Sequence, residues 1–146
     1  MTTKTKQIIR IGQIIIEFLL EGKDTKGQFA MFEITIPGNA KVPIPRSHEQ
    51  YDQTIYGLKG VMTFVVDGVP IDIAAGETCF IPRGSIHGFK NHRKEDAKAL
   101  AIVTPALIGP DFFRNSTEVF CAHSPCDAEK LKKALKKYGL VPALPN

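Results

Sequence analysis

Arg46, His48, Gln53 and His87 carry the groups in this chain best suited to chemistry. The stretch PIPRSHEQYDQTIYGLKG, residues 43–60, sets Arg46, His48 and Gln53 into a segment otherwise built like a β-strand. The stretch GETCFIPRGSIHGFKN, residues 76–91, supplies His87. Imidazole nitrogens and an amide oxygen are acceptable donors to a borderline divalent ion. A guanidinium beside an apolar pocket suits bidentate capture of a carboxylate. On residue types alone three readings of the first stretch stay open: a metal site, an altered metal site, or polar decoration at a strand edge. In the last, a histidine hydrogen-bonds a neighbour such as Gln53, and Arg46 pairs with Glu49 or Asp52. Other groups offer less. Cys121, His123 and Cys126 stand close together, but no second ligand pair is near and their spacing fits no common structural zinc site. Cys79 lies in an expected strand and reads as a small core residue. No arrangement of acid, base and nucleophile supports a hydrolase.

The elements that must position these residues read as short strands separated by turn signals. QIIIEFLL (13–20) is rich in β-branched and apolar residues and runs into the polar loop EGKDTKG. In QFAMFEITIPG, Phe32, Ile34 and Ile36 alternate with Glu33 and Thr35, the pattern of a strand with one buried face. GVMTFVVDGVPIDIAAG places two apolar strands around Asp67-Gly68, a dipeptide that accepts the positive φ angles of a type I′ hairpin turn. ETCFIPRG and AKALAIVTP add two more strands, with HRKED as the charged loop between them. Such spacing indicates an all-β sandwich or barrel. After Pro105 the character changes: Pro110 opens a short helix in GPDFFRNSTEVF. SPCDAEKLKKALKKYG then predicts a second helix, capped by Ser124, with Leu131, Ala134, Leu135 and Tyr138 on one face and Gly139 at its end.

The totals narrow the function classes. At 146 residues the chain fits one domain with a substantial core, and 43% apolar with 23% charged residues is ordinary for a soluble globular protein. The net charge of +4 is concentrated in terminal segments such as KLKKALKKYG, without aromatic interleaving. It therefore reads as solvated surface, not a nucleic-acid footprint. The apolar run Ile8–Leu20 is interrupted by Arg10, Gly12, Gln13 and Glu17 and is too short to span a bilayer. Three cysteines, an odd number, fit a reducing cytoplasm better than a disulfide framework.

Gly76, Pro82, Gly84, His87 and Asn91 stand in the spacing G-x5-P-x-G-x2-H-x3-N, which matches the second signature of the cupin superfamily at every fixed position. The first signature, G-x5-H-x-H-x3,4-E-x6-G, is matched with departures when anchored on Gly60. His48 falls on its second histidine, Gln53 on its glutamate and Arg46 on its first histidine; Gly38 matches the opening glycine if the loop NAKVPIP carries extra residues. The resemblance covers roughly residues 14–104, and GPDFFR and KKYGLVP look like the tail of single-domain cupins (monocupins) of the quercetin-dioxygenase-like group. It implies a small double-sheet jelly-roll β-barrel over about 14–104, with a C-terminal helical tail over about 110–146. The whole chain, 1–146, is then a single cupin domain, often a homodimer in such families. The family's usual ligand set is three histidines and a glutamate around Fe, Mn, Ni, Zn or Cu. Residue by residue, the resemblance carries over His48 and His87, with Gln53 as a substitute and water in the open positions. Relative to the usual set, Gln53 and Arg46 move the local field by up to two units against a cation. Each unit against a unit charge at ~4 Å is about 4 kcal/mol at an effective dielectric near 20, and a divalent ion doubles that.

The resemblance thus implies a small-molecule-binding cupin with an altered metal site and no organic cofactor. Its ligand is a small organic molecule, anionic where Arg46 engages it, with Tyr51, Phe80 and Phe89 as further substrate-binding residues. A fold shared by many activities does not transfer one, so three alternatives stand beside it. They are a metal-dependent dioxygenase of a phenolic substrate, a sugar-acid isomerase or tautomerase, and a non-catalytic ligand sensor.

Overall fold

The alternation of Phe32, Ile34 and Ile36 is realised in β3 (Ala30–Ile36), in which every second residue is buried. The computed structural model describes residues 7–40, 46–48, 50–114 and 140–142; the side chains at 46, 48 and 140–142 fall outside that description. On one side of β3 lies β2 (Ile14–Leu20), which forms a hairpin with β1 (Gln7–Ile11) through Gly12 and Gln13. β1 was not foreseen, because Arg10 and Gly12 break the apolar run that contains both strands. On the other side lies β10 (Ala97–Thr104), whose Ala97, Ala99, Ala101 and Val103 face the same way as Ile36, Ile34, Phe32 and Ala30 and are fully buried. With β5 (Asp52–Lys59) and β8 (Thr78–Ile81) these strands make a six-stranded sheet in the order β1-β2-β3-β10-β5-β8.

A second sheet of five strands, in the order β11-β4-β9-β6-β7, contains β4 (Arg46–His48), β6 (Val61–Val66), β7 (Val69–Ala74), β9 (Ile86–Lys90) and β11 (Leu140–Pro142). All pairings in both sheets are antiparallel. The expected hairpin joins β6 to β7, with Asp67 at φ 49° and Gly68 at φ 83° as a type I′ turn requires. Apolar faces of both sheets form one core, Phe32, Ile34, Ile55 and Ile81 from the first and Met62, Phe64 and Ile73 from the second. The fold is all-β, two antiparallel sheets of jelly-roll type, as the sequence leads one to expect.

The tail departs from a purely helical extension. The short helix α1 (Pro110–Arg114) begins at Pro110 as expected, and its Phe113 packs on Phe18 and Phe32 with ring centroids 5.7 and 5.2 Å away. Beyond it, β11 pairs with β4 and adds an edge strand. The helix expected at 124–139 and the group Cys121, His123 and Cys126 lie outside the described residues. Among the described residues no helix is long and apolar enough to cross a membrane.

One end of the two sheets is fixed by residues that the sequence patterns single out. Asn91, 2% exposed, donates from Nδ2 to the carbonyls of Ile36 (2.9 Å) and Glu95 (2.7 Å) and accepts from the Arg93 N–H (3.1 Å). This pins the loop between β9 and β10. Gly38 and Gly60 lie against that loop so closely that a Cβ would come within 2.2 Å of the Lys94 carbonyl oxygen and 2.3 Å of the Asp96 one. Gly38, Gly60 and Asn91 thus make one structural corner, while Gln53 and His87 lie near the opposite ends of β5 and β9.

Candidate functional site

The stretch 43–60 was read as a single ligand strand; it is two, in different sheets. Arg46 and His48 lie on β4 of the five-stranded sheet, Gln53 on β5 of the six-stranded one. The break follows from the three-residue length of β4, after which the chain passes through Tyr51 to the other sheet. His87, the second residue of β9, is reached by the reverse passage, from Ile81 at the end of β8 through residues 82–85. Gln53 is directly paired with Ile81, and Arg46 is directly paired with His87. Both passages, and the β6–β7 turn, therefore sit at one end of the barrel and gather the four positions there.

Parity decides which side chains enter. Gln53 pairs with Val103 and Ile81, both fully buried on the inner face, and is itself 8% exposed. His87 pairs with Val66, which packs against the core, and is 4% exposed. Gln53 and His87 thus stand on the inner faces of the two sheets, beside a largely apolar core. Tyr51, in the passage between β4 and β5, is also buried. Phe89 shares the inner face with His87 and packs on Phe64, ring centroids 6.0 Å apart. Phe80 does not join them. It lies between the inward Cys79 and Ile81, so it points outward and is 59% exposed. Burial pushes the Cys79 thiol up, as befits a core cysteine.

Two clamps hold this end, neither legible in the sequence. The Asp52 carboxylate accepts from the Arg83 N–H (2.9 Å), Nε (3.3 Å) and Nη2 (3.1 Å), joining the two inter-sheet passages. Those bonds hold the Asp52 carboxyl below the usual carboxylate range and raise the Arg83 guanidinium. Among the described residues, Arg83 is the partner of the Asp52 carboxylate. On the other side Asp67 grips the residue before His87: its N–H donates to the Ile86 carbonyl (2.7 Å) and its Oδ1 accepts the Ile86 N–H (2.9 Å). The Asp-Gly signal marks the turn, but the partner of the aspartate appears only when β9 is laid beside β6.

The His87 Nδ1 lies 3.2 Å from the Ser85 carbonyl oxygen. A carbonyl can only accept, so this bond is made with the proton on Nδ1. The Gln53 amide makes no hydrogen bond among the described residues and offers its Oε1. A carbonyl behind one imidazole and an amide oxygen on the facing sheet are donor types that suit a borderline divalent ion. Among the described residues no group of three His, Cys, Asp or Glu side chains could hold one. A site here needs the amide of Gln53 and a contribution from β4.

The chain matches the cupin domain family over residues 32–103. It is 28% identical over 111 residues to quercetin 2,3-dioxygenase of Bacillus subtilis, covering 75% of this chain and 32% of that protein. An uncharacterized protein of Aquifex aeolicus is 32% identical over 71 residues, covering 49% of this chain and 58% of the other. The chain thus spans less than two thirds of the length of either relative. Among solved structures, KdgF from Halomonas superposes with a TM-score of 0.60 at 18% identity, covering 74% of this chain and 90% of that one. A predicted oxalate decarboxylase from Thermotoga maritima gives 0.62 at 21% identity, covering 69% and 92%. At these identities the structural likenesses show the fold.

Proposed function

We propose, for a chain that belongs to the cupin family, that the barrel end around Gln53 and His87 binds a small organic molecule beside a divalent metal ion. The observation that carries this is the burial of those two polar side chains on facing sheets, at one end, in an apolar interior. His48, Gln53 and His87 are the proposed ligands of Fe, Mn, Ni, Zn or Cu. When bound, such an ion supplies a Lewis acid for an oxygen of the ligand. The chain's own residues do the rest. The Ser85 carbonyl fixes the His87 tautomer, and the Asp67 clamp sets the start of β9. Arg46, paired in register with His87, takes an acidic end of the molecule, with Tyr51 and Phe89 against its apolar body. Because the proposed ligands are all neutral, an anionic molecule also balances the charge of the ion. The proposed setting is the cytoplasm, with a second copy of the chain as partner.

The test is elemental analysis of protein purified without chelator, together with ligand titration. Stoichiometric metal in the wild type, and at least a ten-fold loss of metal affinity in His87→Ala, are expected. Arg46→Ala should weaken an acidic ligand and spare its neutral analogue. No metal after loading, or unchanged binding of the acid, would overturn the corresponding half of the reading. A second reading, a dioxygenase acting on a phenolic substrate, is favoured by the likeness to quercetin 2,3-dioxygenase. Oxygen consumption in proportion to bound metal separates it from binding without turnover.

A further inference from the structure

Gln53 has a second function to offer. Its side chain is on the inner face of β5, flanked by Ile81 and Val103, and its amide has no hydrogen-bond partner among the described residues. A primary amide carries one acceptor oxygen and two N–H donors. The amide is not sealed from solvent, so a ligand that reaches it must replace water at its donors. A metal ion on Oε1 satisfies the oxygen alone and leaves both donors to be met by whatever else occupies the barrel end.

We propose that the Gln53 Nε2–H2 group is an oxyanion-binding element that donates to a carboxylate of the bound molecule and selects small organic acids over neutral analogues. The charges around it favour this. Asp52, next in sequence, has both carboxylate oxygens engaged by Arg83, so its charge is countered within the ion pair. On the facing sheet, Arg46 brings a cationic residue to the register position opposite His87. Hydrogen bonds to an ionised acceptor are roughly twice as strong as neutral ones. A carboxylic acid side chain at position 53 would present a negative charge and no N–H, and would repel the same ligand. The choice of glutamine thus trades metal affinity for acceptance of an anion. The inference rests on Gln53 and His87 being site residues, as proposed above.

The test uses the full chain, labelled with nitrogen-15, titrated with benzoate and with benzyl alcohol as the neutral control, and separately with zinc. The Gln53 side-chain amide signals, identified by their loss in Gln53→Glu, are expected to shift with benzoate and not with benzyl alcohol. Gln53→Glu keeps an oxygen donor but loses both N–H groups, so benzoate affinity should fall at least ten-fold while zinc affinity rises at least ten-fold. Gln53→Met, neutral and of similar length, should lose benzoate as well, which guards against misfolding around a buried carboxylate. Stationary Gln53 amide signals, benzoate binding unchanged in both variants, or no benzoate binding at millimolar concentration would each overturn the inference. Zinc affinity insensitive to both Gln53→Glu and His87→Ala would instead overturn the metal reading.

Discussion

At His87 the imidazole is fixed by contacts that belong to other residues: the Ser85 carbonyl sets its tautomer, and Asp67 grips Ile86 immediately before it. The Asp52–Arg83 pair acts similarly on Gln53, by holding the first residue of β5 against the passage from β8. Its pH dependence has a definite sign. The Arg83 hydrogen bonds lower the Asp52 carboxyl in the folded state relative to an unfolded value near ~3.9. The pair therefore stabilises the fold above the unfolded value, and that contribution disappears as pH falls through the folded one. Asp52→Asn is expected to melt slightly below wild type at pH 6, by a few degrees at most because the pair is exposed. The two melting curves should converge in acid, once pH has fallen through the lowered folded-state value of Asp52. A difference that persists undiminished in acid would show that charge pairing with Arg83 is not its cause.

Among the elements, the corner opposite the site tolerates least change. The turn from β5 to β6 passes through Gly60 at φ +63°, against the Asp96 carbonyl oxygen. Gly60→Ala meets both a left-handed backbone and the Asp96 carbonyl, next in sequence to the Glu95 carbonyl that Asn91 holds. A loss of about 2–4 kcal/mol is expected, combining overpacking with an unfavourable φ, and urea denaturation reads it. An unchanged midpoint would mean that the loop over residues 93–96 yields freely. The division of labour between the two barrel ends explains why Asn91 belongs to the same sequence signature as His87. It fixes the corner at which β9 ends and from which β10 sets out, while His87 stands at the other end of β9.

At the scale of the whole molecule, the outward turn of Phe80 gives that residue a different place from the one expected of it. With exposed Tyr56 and Leu58, and beside half-buried Leu100, Ile102 and Met31, it forms an apolar surface on the outer face of the six-stranded sheet. This is the surface on which the proposed second copy would dock, since contiguous apolar area on a sheet face is commonly an interaction site. Sedimentation equilibrium at micromolar concentration is expected to show a dimer, and Phe80→Asp a monomer of unchanged secondary structure. A monomeric wild type, or a Phe80→Asp variant that still dimerises, would count against this face.

Much of the molecule follows from local pattern. Alternation in residues 30–36 made β3 legible, AKALAIVTP marked β10, Asp67-Gly68 made the hairpin legible, the spacing around His87 pointed to the family, and the count back from Gly60 pointed to Gln53. Those signals are local, because side-chain period and turn φ angles depend on a few neighbouring residues. Tertiary structure alone divided residues 43–60 between two sheets, turned Phe80 outward, gave Asp52 to Arg83, and set Asp67 on Ile86. Each of these depends on which strand lies beside which, and a strand's partner is chosen by the packing of two whole faces against each other. The same packing buries Gln53 and His87 towards one end, and so brings together two residues that lie far apart along the chain.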